Sequence, residues 1–203
     1  MKTFSFKTFE DSFSFKDFSE LKKYGLPEIC FTGRSNVGKS SLINAITNRK
    51  SLASISNKPG HTRKIFFYNI SRKFMLVDLP GYGYAQVSKK KIEQISQLVF
   101  LYLTKRTYLK KVYILIDSRH GFKESDINFL EFIKSINITY QIVFTKTDKV
   151  SHEEKEKLIQ GIQFHKLIKN NNPFFTSSKT KLGIKDIKKQ IINIVNENGE
   201  FNK

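Results

Sequence analysis

Short apolar runs alternate with stretches of helical spacing along most of this chain. The runs that predict strands cover residues 28–33, 64–70, 73–79, 111–117, 139–146 and 173–178. Between and after them, apolar residues recur every three or four positions, which predicts helices after Lys39, from Lys89, and over residues 125–135, 152–168 and 184–195. Because Ser71 and Arg72 alone separate the second run from the third, these two form an antiparallel hairpin. The pattern predicts a three-layer α/β fold with a six-stranded, mostly parallel sheet and one antiparallel edge strand.

The first twenty residues carry a different pattern, in which phenylalanines alternate with polar residues. The phenylalanines are Phe4, Phe6, Phe9, Phe13, Phe15 and Phe18. This spacing predicts a strand or extended arm packed on the domain, and an arm that docks a partner is the alternative. Because no repeat and no Pro- or Ser-rich linker divides the rest, we expect an arm over residues 1–25, one domain over 26–198 and a short tail over 199–203.

The charge balance is the most unusual bulk property, since 36 Lys and Arg against 18 Asp and Glu give the 203 residues a net charge of +18. Such an excess favours a polyanionic partner, because neutralised phosphates release counterions. A compositional bias towards Lys is the alternative. No apolar run approaches the ~18 residues that span a bilayer, and the first residues lack the pattern of a secretory signal. The single cysteine, Cys30, lies in an apolar run and predicts a buried, inert thiol. We therefore expect a cytoplasmic protein that does not associate with membranes.

The segment "GRSNVGKS", from Gly33 to Ser40, matches the phosphate-binding pattern G-x-x-x-x-G-K-S and lies between a predicted strand and a predicted helix. Gly33 and Gly38 allow the backbone to curl so that its N–H groups face a phosphate, and the helix N-terminus adds its dipole. Lys39 supplies a charge for the β- and γ-phosphate oxygens, and the Ser40 hydroxyl suits Mg²⁺. These features predict a nucleotide triphosphate site.

The segment "TKTD", from Thr145 to Asp148, ends a predicted strand at the same sheet edge. A carboxylate there accepts hydrogen bonds from guanine N1–H and N2–H₂ together, whereas adenine offers no such pair of donors. The Lys146 stem packs along the base and the phosphate-binding loop. A helix N-cap is the alternative role of Asp148. In "TSSK", the backbone N–H groups of Ser178 and Lys179 are candidates to meet guanine O6.

Two further segments predict a sensor for the terminal phosphate. Thr62, within "NKPGHTRK", is the only threonine between the first helix and the hairpin, and its hydroxyl and N–H suit Mg²⁺ and the γ-phosphate. In "DLPG", Asp78 suits Mg²⁺-bound water and the N–H of Gly81 suits the γ-phosphate. The next residue, Tyr82, cannot replace a water-orienting glutamine, because a phenol lacks the amide that both donates and accepts.

Together these segments resemble a known family. "GRSNVGKSSLINAI", "KPGHT", "DLPGYGYA", "TKTD" and "TSSK" are similar to the five nucleotide-binding motifs of the EngB-type (YihA/YsxC) bacterial GTPases, in the TrmE-Era-EngA-EngB-septin-like class. The resemblance runs from about Leu26 to the last helix, and "DLPGYGYA" is its most specific part. It implies a Ras-like P-loop GTPase fold, GTP or GDP with Mg²⁺, and a role in assembly of the large ribosomal subunit. Members usually carry Arg or Lys where this chain has His61, so the resemblance carries over no side-chain contact there.

The resemblance also addresses hydrolysis. It places the chain among GTPases with an apolar or aromatic residue at the position of Tyr82, and in related GTPases an asparagine at the position of Asn36 helps hold K⁺ beside the β- and γ-phosphates. A loop-shaping Asn36 is the alternative. Lys89, Lys90 and Lys91 follow the sensor and are either a solvated helix start or a contact to ribosomal RNA that depends on the nucleotide.

From motifs and resemblance together we predict a slow, monomeric GTPase that acts as a nucleotide-gated assembly factor for large-subunit precursors, binds their RNA, and is needed for normal cell division and septation. A septation scaffold with incidental hydrolysis and a P-loop small-molecule kinase are the alternatives. The predicted nucleotide-binding residues are Gly33, Arg34, Ser35, Asn36, Val37, Gly38, Lys39, Ser40, Ser41, Gly60, His61, Thr62, Arg63, Lys64, Asp78, Leu79, Pro80, Gly81, Thr145, Lys146, Thr147, Asp148, Ser177, Ser178 and Lys179. Of these, Ser40, Thr62 and Asp78 are predicted metal ligands, and Lys39, Asn36, Thr62 and Gly81 are predicted to act in hydrolysis.

Overall fold

The computed structural model describes residues 4–54, 64–83, 88–164, 168 and 172–199, and within them the elements follow the predicted order. The strands are β1 (Phe9–Phe15), β2 (Glu28–Gly33), β3 (Ile65–Ile70), β4 (Phe74–Asp78), β5 (Leu109–Asp117), β6 (Tyr140–Thr145) and β7 (Phe174–Phe175). The helices are α1 (Lys39–Thr47), α2 (Lys89–Lys105), α3 (Glu124–Ser135), α4 (His152–Phe164) and α5 (Ile184–Gly199). The predicted division into 1–25, 26–198 and 199–203 stays a prediction.

One sheet runs in the order β1-β3-β4-β2-β5-β6-β7, with parallel pairing from β4 to β7 and antiparallel pairing of β3 with both of its neighbours. The mostly parallel sheet with antiparallel strands at one edge is therefore confirmed. Its described part has seven strands rather than the predicted six, because β1 of the arm pairs with β3 and becomes the edge strand. The register of β1 against β3 shifts between Phe9 and Ser12, and side chains at odd positions change from one face of the sheet to the other. Phe9 therefore packs on one face, whereas Phe13 and Phe15 pack on the other.

The core fills both faces of the sheet, which confirms the three layers. Helices α1 and α5 cover one face, with Leu42 and Ile187 among their fully buried residues. Helices α2, α3 and α4 cover the other, where Tyr102 and Leu130 are fully buried. Because both faces are covered, every residue of β2 and β4 is buried, and such strands read as continuous apolar runs. Among the described residues, no helix combines the length and the apolar character that crossing a bilayer requires.

Two local features show how the chain sets the edges of these elements. Ser71 and Arg72 have φ of 53° and 52°, the left-handed geometry of tight hairpin turns, and together with Lys73 they join β3 to β4. The predicted antiparallel hairpin is therefore confirmed, with one more residue in the turn than the sequence suggested. The last strand is shorter than predicted because Ser177 leaves the ladder. Its N–H donates to the Leu182 carbonyl (3.2 Å), and its hydroxyl donates to the Asp148 carboxylate (2.6 Å).

A buried ion pair joins the end of α2 to the start of β2. Glu28 is fully buried, and the Arg106 guanidinium contacts both of its carboxylate oxygens, with Nε at 2.8 Å and 3.0 Å and Nη2 at 2.7 Å. The Tyr102 hydroxyl donates to the same carboxylate (3.0 Å). Burial raises the pKa of Glu28, although the bonds from Arg106 and Tyr102 oppose the shift. Arg106 also donates to the Lys22 carbonyl (2.6 Å), so this pair anchors both α2 and the arm.

Candidate nucleotide-binding site

The predicted phosphate-binding loop leaves the sheet at the end of β2 and turns into α1. A Cβ on Gly33 would lie 2.7 Å from the Leu115 carbonyl oxygen of β5, so this position accepts only glycine without a shift of the backbone. Gly38 is the N-cap of α1 and has φ of 104°, which also favours glycine. The Thr145 hydroxyl donates to the Val37 carbonyl (2.6 Å). The loop is thus held between the carboxyl ends of β2, β5 and β6, where parallel α/β sheets bind ligands.

Two charged residues of the predicted site neutralise each other. The Lys39 ammonium pairs with the Asp78 carboxylate, and their residues are only 8% and 3% exposed. Burial raises the pKa of the Asp78 carboxyl, and the Lys39 ammonium opposes the shift. Because a buried charge needs a partner, Lys39 can turn to a phosphate only if a cation or its bound water takes over Asp78.

The donor chemistry around this pair fits Mg²⁺. The hard oxygens are the Asp78 carboxylate and the half-buried Ser40 hydroxyl at the second position of α1. Among the described residues, no group of three His, Cys, Asp or Glu side chains forms a metal cage. Such a cage is not needed, since Mg²⁺ in phosphate sites takes its remaining ligands from phosphates and water. Ser40 and Asp78 are therefore the described residues that would hold the ion.

The sensor turn after β4 is bonded directly to the phosphate-binding loop. The Tyr82 N–H donates to the Gly33 carbonyl and the Ser35 N–H donates to the Tyr82 carbonyl, both at 3.2 Å. A Cβ on Gly81 would lie 2.9 Å from the Gly33 carbonyl oxygen and 3.2 Å from the Ser35 nitrogen. Gly81 is thus needed for close approach, and any motion of the loop reaches the turn through these contacts.

The Tyr82 side chain turns away from the phosphate-binding loop and packs on α3. Its hydroxyl donates to the Asp126 carboxylate (3.0 Å), and its ring stacks on Phe129 with 4.7 Å between ring centroids. Burial raises the pKa of the Tyr82 phenol well above its usual value, and Asp126 adds to the shift. A protonated phenol bonded to α3 agrees with the expectation that Tyr82 does not orient the attacking water. Asp126 was missed in the sequence, because an acid in the first turn of a helix already has a capping role.

The two loops predicted to bind the base lie side by side. The Thr147 N–H donates to the Thr176 carbonyl (3.1 Å), and the Ser177 hydroxyl holds Asp148 by one carboxylate oxygen. That hydrogen bond lowers the pKa of the exposed Asp148 carboxyl, and Lys179 and Lys149 lower it further. Asp148 is therefore an oriented, ionised acceptor. It borders an open cleft of about 780 Å³ whose lining includes Gly38, Ser41, Thr145, Lys146, Asp148, Ser178 and Lys179.

A second carboxylate, which the sequence analysis missed, orients Lys146. The Lys146 ammonium donates to the Asn36 carbonyl (2.7 Å), as a residue lying along the loop should, and to the Asp117 carboxylate (2.8 Å). Burial acts to raise the pKa of Asp117, but hydrogen bonds from Arg119 and Lys146 outweigh it and hold the pKa well below the usual range. The signal available in the sequence was that Asp117, like Thr145, ends an apolar run. In the structure Asp117 ends β5 directly opposite Thr145.

The remaining predicted residues divide into three groups. Gly60, His61, Thr62 and Arg63 lie outside the described residues. Lys64 lies towards β1, where its ammonium donates to the Ser14 hydroxyl (3.4 Å), and its role in nucleotide binding stays a prediction. Of the other members, Arg34 forms a β-bridge with Tyr82, and the Leu79 N–H donates to the Phe31 carbonyl (3.0 Å).

Comparisons with known proteins agree with this geometry. A family model described as 50S ribosome-binding GTPase matches residues 28–146. "Probable GTP-binding protein EngB" of Caulobacter vibrioides is 44% identical over 174 residues, which cover 83% of this chain and 75% of the relative. The protein with the same description in Clostridium acetobutylicum is 46% identical over 175 residues, covering 85% and 86%. A crystal structure of a probable GTP-binding protein engB superposes with a TM-score of 0.65 at 24% identity, covering 84% of this chain and 99% of that one. With the P-loop sequence between β2 and α1 and with these relatives, this chain belongs to the EngB family of GTP-binding proteins and has their Ras-like P-loop fold.

Proposed function

We propose that this protein is a nucleotide-gated assembly factor for the large ribosomal subunit that binds GTP or GDP with Mg²⁺ and hydrolyses GTP slowly. It acts as a cytoplasmic monomer on subunit precursors and their RNA, and cell division and septation depend on it. The observation that carries the proposal is that Asp148, held by Ser177, borders the same cleft as Gly38 of the P-loop. The description of the matching family as ribosome-binding supports the choice of partner.

Nucleotide binding would act through the pair formed by Lys39 and Asp78. The P-loop N–H groups and Lys39 bind the phosphates, while Ser40, Asp78 and Thr62 hold Mg²⁺. Bound Mg²⁺ neutralises charge on the phosphate oxygens. Asp78 leads into the turn of Gly81, which is bonded to the P-loop backbone. Separation of the Lys39–Asp78 pair would therefore be felt in the turn. Hydrolysis then depends on positioning and electrostatics rather than on Tyr82.

We expect K⁺ to stimulate this hydrolysis through Asn36. Asn36 lies in the P-loop with φ of 62°, and the Lys146 ammonium fixes its backbone carbonyl (2.7 Å), which orders the loop at this position. A cation held there offsets the charge that develops in the transition state. The wild-type GTPase rate should be modestly higher in K⁺ than in Na⁺, and Asn36→Ala should abolish the difference while GDP affinity changes little. Identical rates in the two salts for the wild type would remove this role.

Two measurements test the proposed function. Unlabelled GTP should displace labelled GDP, whereas ATP should not, because adenine cannot satisfy Asp148. The protein should also cosediment with large-subunit precursors more strongly with a non-hydrolysable GTP analogue than with GDP. Equal displacement by ATP would instead support a small-molecule kinase. Cosedimentation that is absent, or equal in both nucleotide states, would contradict nucleotide-gated binding to the subunit.

The start of α2 is a candidate RNA contact in the same assay. Lys89, Lys90 and Lys91 are exposed, and the first turn of α2 contains no acid, although cations at a helix N-terminus oppose its dipole. Replacing all three by glutamine should lower the salt dependence of precursor binding by about 0.7–0.9 for each phosphate that the lysines neutralise in the wild type. The matched control replaces Lys105, Lys134 and Lys157 and should keep the wild-type slope. An unchanged slope in the α2 variant would assign these lysines to solvent.

A further inference from the structure

Five cations from four separate segments meet beside the base-binding cleft. They are Lys7 of the arm, Arg49 and Lys50 after α1, Lys181 before α5, and Lys188 within α5; we call this set the basic face. Arg49, Lys50 and Lys181 line the cleft of about 780 Å³ that Asp148 borders. Arg49 donates to the Lys7 carbonyl (3.0 Å), and both Lys7 and Lys181 are close enough to Lys188 to repel its charge.

The phenylalanine-rich arm orders this face. The Arg49 guanidinium carbon lies 5.1 Å from the centroid of the Phe9 ring, and the Lys188 ammonium lies 5.4 Å from that of Phe6. Such cation–π contacts hold a charge in place without neutralising it. Phe6 is itself buried against the core under α1 and α5. The alternation of Phe6 and Phe9 with polar residues thus places Lys7 between two cations of the domain.

Within the described part of the chain, the basic face forms no ion pair with an acidic side chain. No carboxylate of the described residues lies within 4.0 Å of its five charged groups, and Asp186 in the first turn of α5 makes no such pair. The segments outside the described residues contain one acid, Glu200. Burial lowers the pKa of Lys188, and repulsion by Lys181 and then Lys7 lowers it further. A bound polyanion would relieve that repulsion and release its own counterions.

We propose that the basic face binds the phosphate backbone of RNA, and that RNA seated there covers the guanine end of the cleft and slows nucleotide release. The inference rests on the proposed RNA partner but adds a second contact, on the α1 and α5 face of the sheet, whereas Lys89–Lys91 belong to α2 on the other face. The basic face is better suited to RNA than to a membrane surface. Among the described residues, Leu182 is the only large exposed apolar side chain adjoining the set in sequence, and stable bilayer binding needs buried apolar area in addition to charge.

The test compares two double variants that remove the same charge. Lys50→Gln with Lys181→Gln removes cations of the basic face, and Lys105→Gln with Lys134→Gln removes cations from α2 and α3. All four side chains are exposed, and equal thermal unfolding checks that both variants fold. Because Lys50 and Lys181 line the cleft, the effect of RNA is measured within each variant, as the ratio of its GDP release rates with and without RNA. Purified 23S ribosomal RNA is the probe, with binding measured over a KCl series and release of fluorescent GDP measured with and without the RNA.

We expect the salt slope of the basic-face variant to be smaller by about 0.7–0.9 for each of the two cations removed, or roughly 1.4–1.8 in total. This variant should release GDP at one rate with or without RNA, whereas the wild type and the control should release GDP several-fold more slowly when RNA is bound. The inference is overturned if RNA binding by the basic-face variant has the same salt slope as the wild type, or if RNA still slows its release of GDP. Either result leaves the proposed function intact. A wild type that binds neither 23S RNA nor subunit precursors overturns both. Tighter binding to phosphatidylglycerol vesicles than to RNA at equal salt, abolished only in the basic-face variant, would replace RNA by a membrane.

Discussion

Replacing Asp148 by asparagine is expected to turn this guanine-nucleotide site into one that prefers xanthine nucleotides. In the proposed site the Asp148 carboxylate would accept from guanine N1–H and N2–H₂ at once. The amide of an asparagine would instead direct an N–H donor at the guanine amino group, which is itself a donor. Xanthine carries a carbonyl where guanine carries that amino group, so the amide finds an acceptor. Removing such a pair of bonds costs about 2–4 kcal/mol, or roughly 30- to 1,000-fold in GTP affinity.

Calorimetry with GTP, XTP and ATP on the wild type and Asp148→Asn measures this exchange. Ser177→Ala is the matched control, because it removes the hydroxyl that holds Asp148 but leaves the carboxylate. The Ser177→Ala variant should bind GTP and GDP less tightly than the wild type, and its affinity for XTP should not rise. Asp148 is exposed, so its replacement should leave the thermal unfolding of the nucleotide-free protein nearly unchanged. A wild type that binds ATP as tightly as GTP would contradict the assignment of the whole base site.

The second large effect is expected from Arg106→Met. This change leaves Glu28 fully buried with only the Tyr102 hydroxyl as a partner, and an uncompensated buried charge of this kind costs about 3–5 kcal/mol of unfolding free energy. The same change at Arg119, whose ion pair with Asp117 is partly exposed, should cost about 1 kcal/mol or less. Urea unfolding of the two variants checks the contrast.

The Arg106→Met variant should also depend on pH in a defined direction. The pKa of Glu28 is already raised by burial and should rise further without Arg106. A group with a raised folded pKa stabilises the fold fully below its unfolded pKa and loses that contribution as the pH rises through the folded one. The difference in unfolding free energy between wild type and Arg106→Met should therefore become smaller as the pH falls from 7 towards 5. The double variant with Glu28→Gln should recover much of the stability at pH 7. A gap that widens in acid would contradict the buried-charge explanation.

Much of the fold could be predicted from the pattern of apolar and polar residues, because parallel strands that are covered on both faces appear in the sequence as continuous apolar runs. The runs that became β2 and β4 are buried at every position, and Ser71 and Arg72 adopt the left-handed geometry of a tight turn between β3 and β4. The arm was harder, because an exposed strand and an edge strand share the same alternation of apolar and polar residues. Its pairing with β3, and the shift after Phe9 that sends its rings to both faces, depend on hydrogen bonds between segments far apart along the chain.

The motifs named the ligand chemistry because each needs one residue type at one place in a loop: glycine where backbones touch, lysine and serine where a helix begins, and a carboxylate where a strand ends. The motifs did not predict which of these groups contact each other in the folded protein. Asp78 pairs with Lys39, Asp117 orients Lys146, and Tyr82 bonds to Asp126. Segments distant along the chain supply each pair, and folding brings their ends to one edge of the sheet. The same holds for charge. The net charge of +18 follows from composition, but only the packing of the layers places Arg49 and Lys188 against two aromatic rings of the arm, with Lys7 and Lys181 close to Lys188.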